Sequence, residues 1–299
     1  MFTNTPAFLS SLFQKLEHRD HHSWFLNFLK EFFAFGIKQL LCCIFPAFII
    51  LILLISRKIE LPFLYRYDFL LLMCIAMQAL MYFTKMETKD ELLVITLFHM
   101  IGLMMEIFKV HMGSWSYPEE GWTKVSGVPL YSGFMYASVA SYICQAWRWF
   151  ELKVSGWPGK LWAIGICITI YLNFFTHHFV YDLRYLIIPL LVIIFFKTRV
   201  HFHTNGNIRQ MPLVISFLLI GFFVWIAENI ATFLGAWKYT YQHAGWQMVT
   251  TGKIASWFLM IVISIIIVIE LKFIKRRREG ITVDKGNVRL SGSSKIYIP

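Results

Sequence analysis

Apolar residues fall in eight blocks along the chain: Gln39–Ser56, Tyr67–Thr84, Leu92–Val110, Val128–Trp149, Leu161–Thr176, Leu183–Phe196, Met211–Leu234 and Ile254–Leu271. A helix that crosses a bilayer needs roughly 20 predominantly apolar residues. The pattern therefore predicts an all-α, polytopic transmembrane bundle of about eight spans. The fifth and sixth blocks are short and separated only by His177 to Asp182. They read equally as two spans or as one hairpin that does not fully cross, with the same parity. Ahead of the first block the spacing changes. Phe8, Leu9, Leu12, Phe13 and Leu16, then Trp24, Phe25, Phe28, Leu29, Phe32 and Phe33, recur every three or four residues. That periodicity predicts amphipathic helix lying on a membrane surface over residues 1–35.

Composition agrees with lipid as the solvent. Hydrophobic residues make up 58% of the 299 and charged residues only 15%, where a soluble domain carries about 25%. The net charge of +11 resides between apolar blocks and not on one face, which argues against a nucleic-acid partner and for loop charge that sets orientation. The N-terminal segment, even-numbered loops and tail hold 20 Lys and Arg, against 8 in the odd-numbered loops. Both termini are thus expected in the cytoplasm. The expected organisation is a 1–35 interfacial segment, a 36–272 bundle and a basic, disordered 273–299 tail. The first residues do not read as a cleavable signal peptide. All five cysteines sit inside apolar blocks without a Cys-x-x-Cys pair, and read as buried thiols.

The third and seventh blocks end alike. Glu106 is followed by Gly113, Trp115 and Tyr117, and Glu228 by Gly235, Trp237 and Tyr239, both Glu-x6-Gly-x-Trp-x-Tyr. A Gly-Trp pair follows each, and the next block ends in Glu-Leu-Lys at 151–153 and again at 270–272. The offset of four blocks predicts a parallel duplication, with halves of about 36–153 and 160–272, and the two motifs meeting near the outer face. An acid inside an apolar block is costly unless it faces the bundle interior and finds partners. Glu106 and Glu228 are accordingly the candidate catalytic or ligand-binding pair. The competing reading is structural: each Glu accepts hydrogen bonds from its own Gly-x-Trp-x-Tyr segment, while the aromatics form an interfacial belt.

His177, His178, Asp182 and Arg184 form a second polar cluster at the same outer boundary, either an ion pair fixing a hairpin or a titrating site. His18, His21 and His22 have the spacing of a di-iron box. Too few histidines share that side of the membrane to complete one, so neither metal nor cofactor is expected.

The stretches Glu106-Ile-Phe-Lys-Val-His-Met-Gly-Ser-Trp-Ser-Tyr-Pro and Gly127-Val-Pro-Leu-Tyr-Ser-Gly-Phe-Met-Tyr-Ala-Ser resemble the YoaT-like family of uncharacterised multipass bacterial membrane proteins. That resemblance implies a plasma-membrane location and no activity. Glu106, Gly113, Trp115, Tyr117, Gly127 and Pro129 also resemble, more loosely, a pattern in bacterial membrane carotenoid cyclases and hydratases. Where the cyclases carry a glutamate pair, this chain has Tyr131 and Ser132. The resemblance implies an apolar small-molecule ligand, such as a long isoprenoid or lipid, in a pocket lined by Trp115, Tyr117, Trp237, Tyr239, Pro129 and Tyr131. A small-molecule or proton-coupled transporter and a non-catalytic scaffold remain the alternatives. Membrane lipid is the one partner expected on every reading; oligomeric state is left open.

Overall fold

The computed structural model describes residues 24–59 and 62–278. Residues 1–23, including His18, His21 and His22, and the distal tail 279–299 lie outside that range. Nine α-helices occur among the described residues: α1 (Trp24–Cys42), α2 (Ile44–Ser56), α3 (Arg66–Phe83), α4 (Lys89–His111), α5 (Ser132–Trp149), α6 (Lys160–Thr176), α7 (Arg184–Phe195), α8 (Leu213–Phe233) and α9 (Gly252–Arg278). Helix follows each apolar block, and α3, α4, α8 and α9 are long and apolar enough to cross a membrane. Helices α1 and α2 together make a fifth candidate, bent by 64°. The chain is thus an α-helical protein of the membrane type.

The expected first span, Gln39–Ser56, breaks at Cys43 for a chemical reason. Pro46 has no N–H to give the Cys42 carbonyl, and its ring crowds that turn. The helix before the break carries the amphipathic stretch beyond residue 35, with Trp24, Phe25, Phe28, Phe32 and Phe33 exposed and Ala34 and Cys42 buried. At the other end, α9 continues past Lys272 to Arg278, because Lys and Arg are good helix formers.

Short strands account for the other departures. The expected fourth span begins at Ser132, not Val128. Ser126 (φ 51°) and Gly127 (φ 81°) both take positive φ, forming a two-residue turn that matches strand twist. This turn pairs β2 (Lys124–Val125) with β3 (Val128–Pro129). Asn205 (φ 47°) and Gly206 (φ 71°) do the same between β5 (Arg199–Thr204) and β6 (Asn207–Pro212), which takes Met211 and Pro212 out of the seventh block. Strand β4 (Lys153–Ser155) completes this three-stranded sheet at the opposite end of the bundle from the motifs.

Helix α5 forms the centre, packed against α4, α2, α1 and α9. Its Gly133, Ala137, Ala140 and Ser141 are buried, and small residues of this kind let helix backbones approach. Shielding by neighbours explains why α5, with Ser132, Ser138, Ser141 and Gln145 buried, tolerates too much polarity to resemble a lipid-facing span. The same pairing recurs in sequence order: α2 packs on α3 and α5, and α6 packs on α7 and α9, while α4–α5 and α8–α9 are the closest neighbours. At Gly221 a Cβ would lie 2.9 Å from the Phe258 backbone nitrogen, so α8 and α9 touch backbone to backbone.

Helices α4 and α8 end in identical fashion. Gly113 N–H donates to Val110 O and Ser114 N–H to Lys109 O; Gly235 donates to Thr232 O and Ala236 to Ala231 O. Gly113 (φ 67°) and Gly235 (φ 76°) adopt the left-handed C′ conformation of the Schellman motif, in which glycine carries no Cβ penalty. Each chain then turns back, and β1 (Trp115–Ser116) pairs antiparallel with β7 (Lys238–Tyr239). The two Gly-x-Trp-x-Tyr segments are therefore bonded to each other.

Candidate functional site

That pairing brings both glutamates to one place. Glu106 and Glu228 are each 4% exposed, one turn or two before the helix ends. Glu106 Oε2 accepts from Trp115 Nε1 (2.7 Å) and Tyr117 OH (2.8 Å), and its Oε1 from Tyr136 OH (2.8 Å). Glu228 Oε1 accepts from Tyr239 OH (2.5 Å) and its Oε2 from Trp257 Nε1 (2.7 Å). Five aromatic donors thus meet two carboxyls. Tyr117 and Tyr239 lie outside the helices; burial first, and the adjacent carboxylate second, hold each phenol well above its usual range. Both hydroxyls stay protonated and donate.

The acids are consequently anchors of their own motifs, as the structural reading of the sequence expects. Both also face open space. A cavity of about 110 Å³ is lined by Glu106, Glu228, Trp115, Trp237, Tyr239, Tyr136 and Trp257. Roughly 10–15 Å³ admits one water, so the cavity takes several waters or a small solute. Its remaining wall is mixed: Lys109, Lys253, Arg184 and His177, with Asn173 and Ser256, set among apolar side chains such as Phe174 and Met260. Lys253 Nζ lies 4.7 Å over the Tyr239 ring and 5.1 Å over the Trp115 ring, between the two motifs.

The second cluster expected from sequence joins the same site through Lys109. Its Nζ lies 2.8 Å from His178 Nε2, 3.2 Å from His177 Nε2 and 3.2 Å from Phe174 O. A protonated Lys109 has three N–H donors and no acceptor, and in that state both imidazoles would present a lone pair and carry their proton on Nδ1. His177 Nδ1 is 3.0 Å from Asn173 O, which suits that tautomer. Burial first, then the Lys109 charge, hold both histidines below 6.5. Asp182 accepts from Arg184 Nε at 2.5 Å. Burial works against its ionised form, but the Arg184 N–H, the Asn173 amide and the guanidinium outweigh burial and hold it below the usual carboxylate range. Arg184 reaches on to Ser256 Oγ at 2.9 Å, tying α7 to α9.

Of the residues expected to line a pocket, Tyr117, Pro129 and Tyr131 stand outside the cavity wall. Tyr117 holds Glu106 from the far side. Pro129 pairs with Lys124 in the hairpin. Tyr131 donates to Ala236 O at 2.6 Å and packs against Tyr67 and Tyr117, bracing the return segment after α8. The hairpin is fixed by Asp68, whose carboxylate accepts the Trp122 and Thr123 N–H groups at 2.8 and 2.9 Å. The Arg66 guanidinium joins Glu119 at 2.6 Å and caps α8 at Leu234 O at 2.7 Å.

Sequence reasoning missed Lys253, Lys109, Tyr136 and Trp257. Lys253 and Lys109 counted only as boundary charge, and Tyr136 and Trp257 as apolar filler. It also missed Glu87, buried at the other end of the bundle, where Gln78 and Ser141 donate to it. Arg148 beside it reaches Met86 O and Glu91. Among the described residues no group of three or more His, Cys, Asp or Glu is arranged to hold a metal ion.

Comparison with known proteins gives a family and no activity. The model of the family "Protein of unknown function (DUF817)" matches residues 31–265. The uncharacterised protein YoaT of Bacillus subtilis (strain 168) is 55% identical over 249 residues, 83% of this chain and 94% of that protein. A crystal structure of a cross-linked MvINS trimer aligns with 64% of this chain and 97% of its own, at a TM-score of 0.46 and 14% identity. With the family model spanning both motifs and both glutamates, the chain belongs to the DUF817 family.

Proposed function

We propose that this chain is a carrier of a small, charge-bearing solute in the bacterial plasma membrane. On this reading α2 to α9 make eight crossings, with both termini cytoplasmic and the cavity opening toward the outer face. The observation that carries the proposal is the meeting of Glu106, Glu228, Lys109 and Lys253 around one small cavity. Ionisable side chains held at membrane depth are costly, and where they face a cavity they mark solute and proton pathways. A parallel duplication of four helices supports the reading too: the equivalent helix pairings, the matched helix ends and the β1–β7 ladder are what two related halves around one axis would contain. Helices α2, α6 and α7, of 13, 17 and 12 residues, are short for a core of roughly 30 Å at 1.5 Å per residue. Crossing there requires local thinning of the bilayer or flanking polar residues.

A long isoprenoid or lipid substrate fits the cavity less well. Drug-sized ligands occupy roughly 300–1,000 Å³, against about 110 Å³ here, and an adjoining apolar chamber behind Tyr136 and Trp257 holds about 20 Å³. Charged groups would also be left facing the chain of such a ligand.

The test is uptake into proteoliposomes from a panel of small carboxylates, phosphates and amino acids, with and without an imposed pH gradient. Uptake of one class, lost in the Glu106→Gln Glu228→Gln variant, is the expected result. No uptake of any class by the folded wild-type chain sinks the proposal. Cysteine labelling from outside at Ser126→Cys, but not at Gly206→Cys, is the expected topology.

A further inference from the structure

The cavity wall is unequal in how its polar groups are already engaged. All four carboxylate oxygens of Glu106 and Glu228 accept from aromatic donors. Lys109 has three acceptors for its three donors. Arg184 gives its Nε to Asp182 and its Nη1 to Ser256 Oγ and Gly252 O, with no acceptor for Nη2 among the described residues. Lys253 differs. Its Nζ meets only the faces of Trp115 and Tyr239 and has no hydrogen-bond acceptor among the described residues. Ring faces attract a cation but take no hydrogen bond of ordinary strength. The three Lys253 N–H donors therefore stand at the cavity wall with no acceptor among the described residues.

Charge points the same way. Lys109, Arg184 and Lys253 all act on one another electrostatically across this space, and His178 feels both lysines. Only Arg184 has a carboxylate in direct contact. Glu106 and Glu228 act on Lys253 as charges, but neither carboxylate is in hydrogen-bond or salt-bridge contact with its Nζ. What Lys253 lacks is an acceptor in contact with it, and the space beside it admits only a group small enough for about 110 Å³.

We infer that the cavity binds a small anion of the carboxylate or phosphate class, with Lys253 as its principal contact and Lys109 and Arg184 flanking it. The inference rests on the reading of this cavity as a solute site and specifies what the solute is. Charge-assisted hydrogen bonds from an ammonium to such an anion are short and strong, and exclusion of water strengthens them further. The indole of Trp115, lying under Lys253, supplies an intrinsic reporter.

The experiment is equilibrium titration of the full chain in a non-ionic maltoside detergent, read by tryptophan fluorescence and thermal midpoint. The probes are acetate, inorganic phosphate, methylammonium and, in mixed micelles, phosphatidylglycerol. A saturable response to acetate or phosphate is expected, weakened roughly tenfold or more in Lys253→Met and largely kept in Lys253→Arg. Response to phosphatidylglycerol alone, lost in Lys253→Met, also supports the anion site and identifies a lipid headgroup as the source. Three results overturn it: no saturable response to any anion, an unchanged affinity in Lys253→Met, or tighter binding of methylammonium. Should Lys253→Met fail to fold, the contrast between acetate and methylammonium on the wild-type chain still decides. Binding does not require transport. Anion binding without uptake would refute the carrier reading alone, and uptake of a cation without anion binding would refute this inference alone.

Discussion

Replacing Glu106 by Gln and by Leu separates two roles that one carboxyl fills. Trp115 Nε1 and Tyr117 OH converge on Oε2 and Tyr136 OH on Oε1. Gln can turn its carbonyl oxygen toward Trp115 and Tyr117, keeping both bonds. Its amide then faces Tyr136, whose hydroxyl rotates to accept, since a phenol donates or accepts while an indole only donates. The loss is the charge assistance, about 1 kcal/mol in total. Leu leaves all three donors without a partner. A buried donor left unsatisfied costs about 1–3 kcal/mol, and with the cavity beside them supplying some water the lower figure applies, giving about 3 kcal/mol. The two variants should differ by about 2 kcal/mol, or roughly 4–8 °C in thermal midpoint by the scaling for large chains. The assay is thermal unfolding of the full chain in non-ionic detergent. Equal midpoints for Gln and Leu would refute the donor network as the stabilising element, and would assign the effect to charge alone.

Other expectations follow from single contacts. Gly221→Ala sets a methyl 2.9 Å from Phe258 N and should destabilise by about 1–3 kcal/mol through overpacking; Gly165→Ala, where nothing lies within 4 Å, should stabilise by about 0.5–1 kcal/mol. Thermal midpoints of the pair check both signs. His177 and His178 are held below 6.5 by burial and Lys109, so the folded state binds fewer protons there than the unfolded chain. Their contribution is full above about pH 6.5 and is lost as pH falls from 6.5 through the lower folded-state values. A His177→Gln His178→Gln variant should flatten the stability profile in that window. Tyr131→Phe removes the donor to Ala236 O and should cost about 1 kcal/mol, read in the same assay.

Much of this arrangement was legible in one dimension, because lipid imposes a long apolar run wherever a helix crosses and the chain repeats a spaced motif twice. The breaks were passed over in the block pattern, although each has a residue with a local mechanism: Pro46 just after the bend, Ser126-Gly127 and Asn205-Gly206 at hairpin turns. The pairing of Glu106 with Trp115 and Tyr117, and of Glu228 with Tyr239, follows from helix length and a left-handed glycine, both visible in spacing; Trp237 does not bond to Glu228, whose second donor is Trp257. Lys253, Tyr136 and Trp257 were not legible. Each lies on the helix after its motif, and its approach to the acids depends on how α5 and α9 rotate against α4 and α8. That rotation is set by backbone contact at Gly133 and Gly221, a three-dimensional fact with no local signature. The single cavity shared with Lys109, His177 and Arg184 depends likewise on α6 and α7 closing against α9.

The β1–β7 register pairs Ser116 with Lys238, and these are the same position of the repeat. Two identical chains meeting by such an isologous contact would bring each residue on the axis against itself, serine on serine or lysine on lysine. Joining both copies in one polypeptide lifts that obligation. Ser116 can face Lys238, and one Lys253 can serve two glutamates without a twin to repel it. Covalent linkage thus permits polarity where two like motifs meet, so the two sides of the cavity between them need not be equivalent.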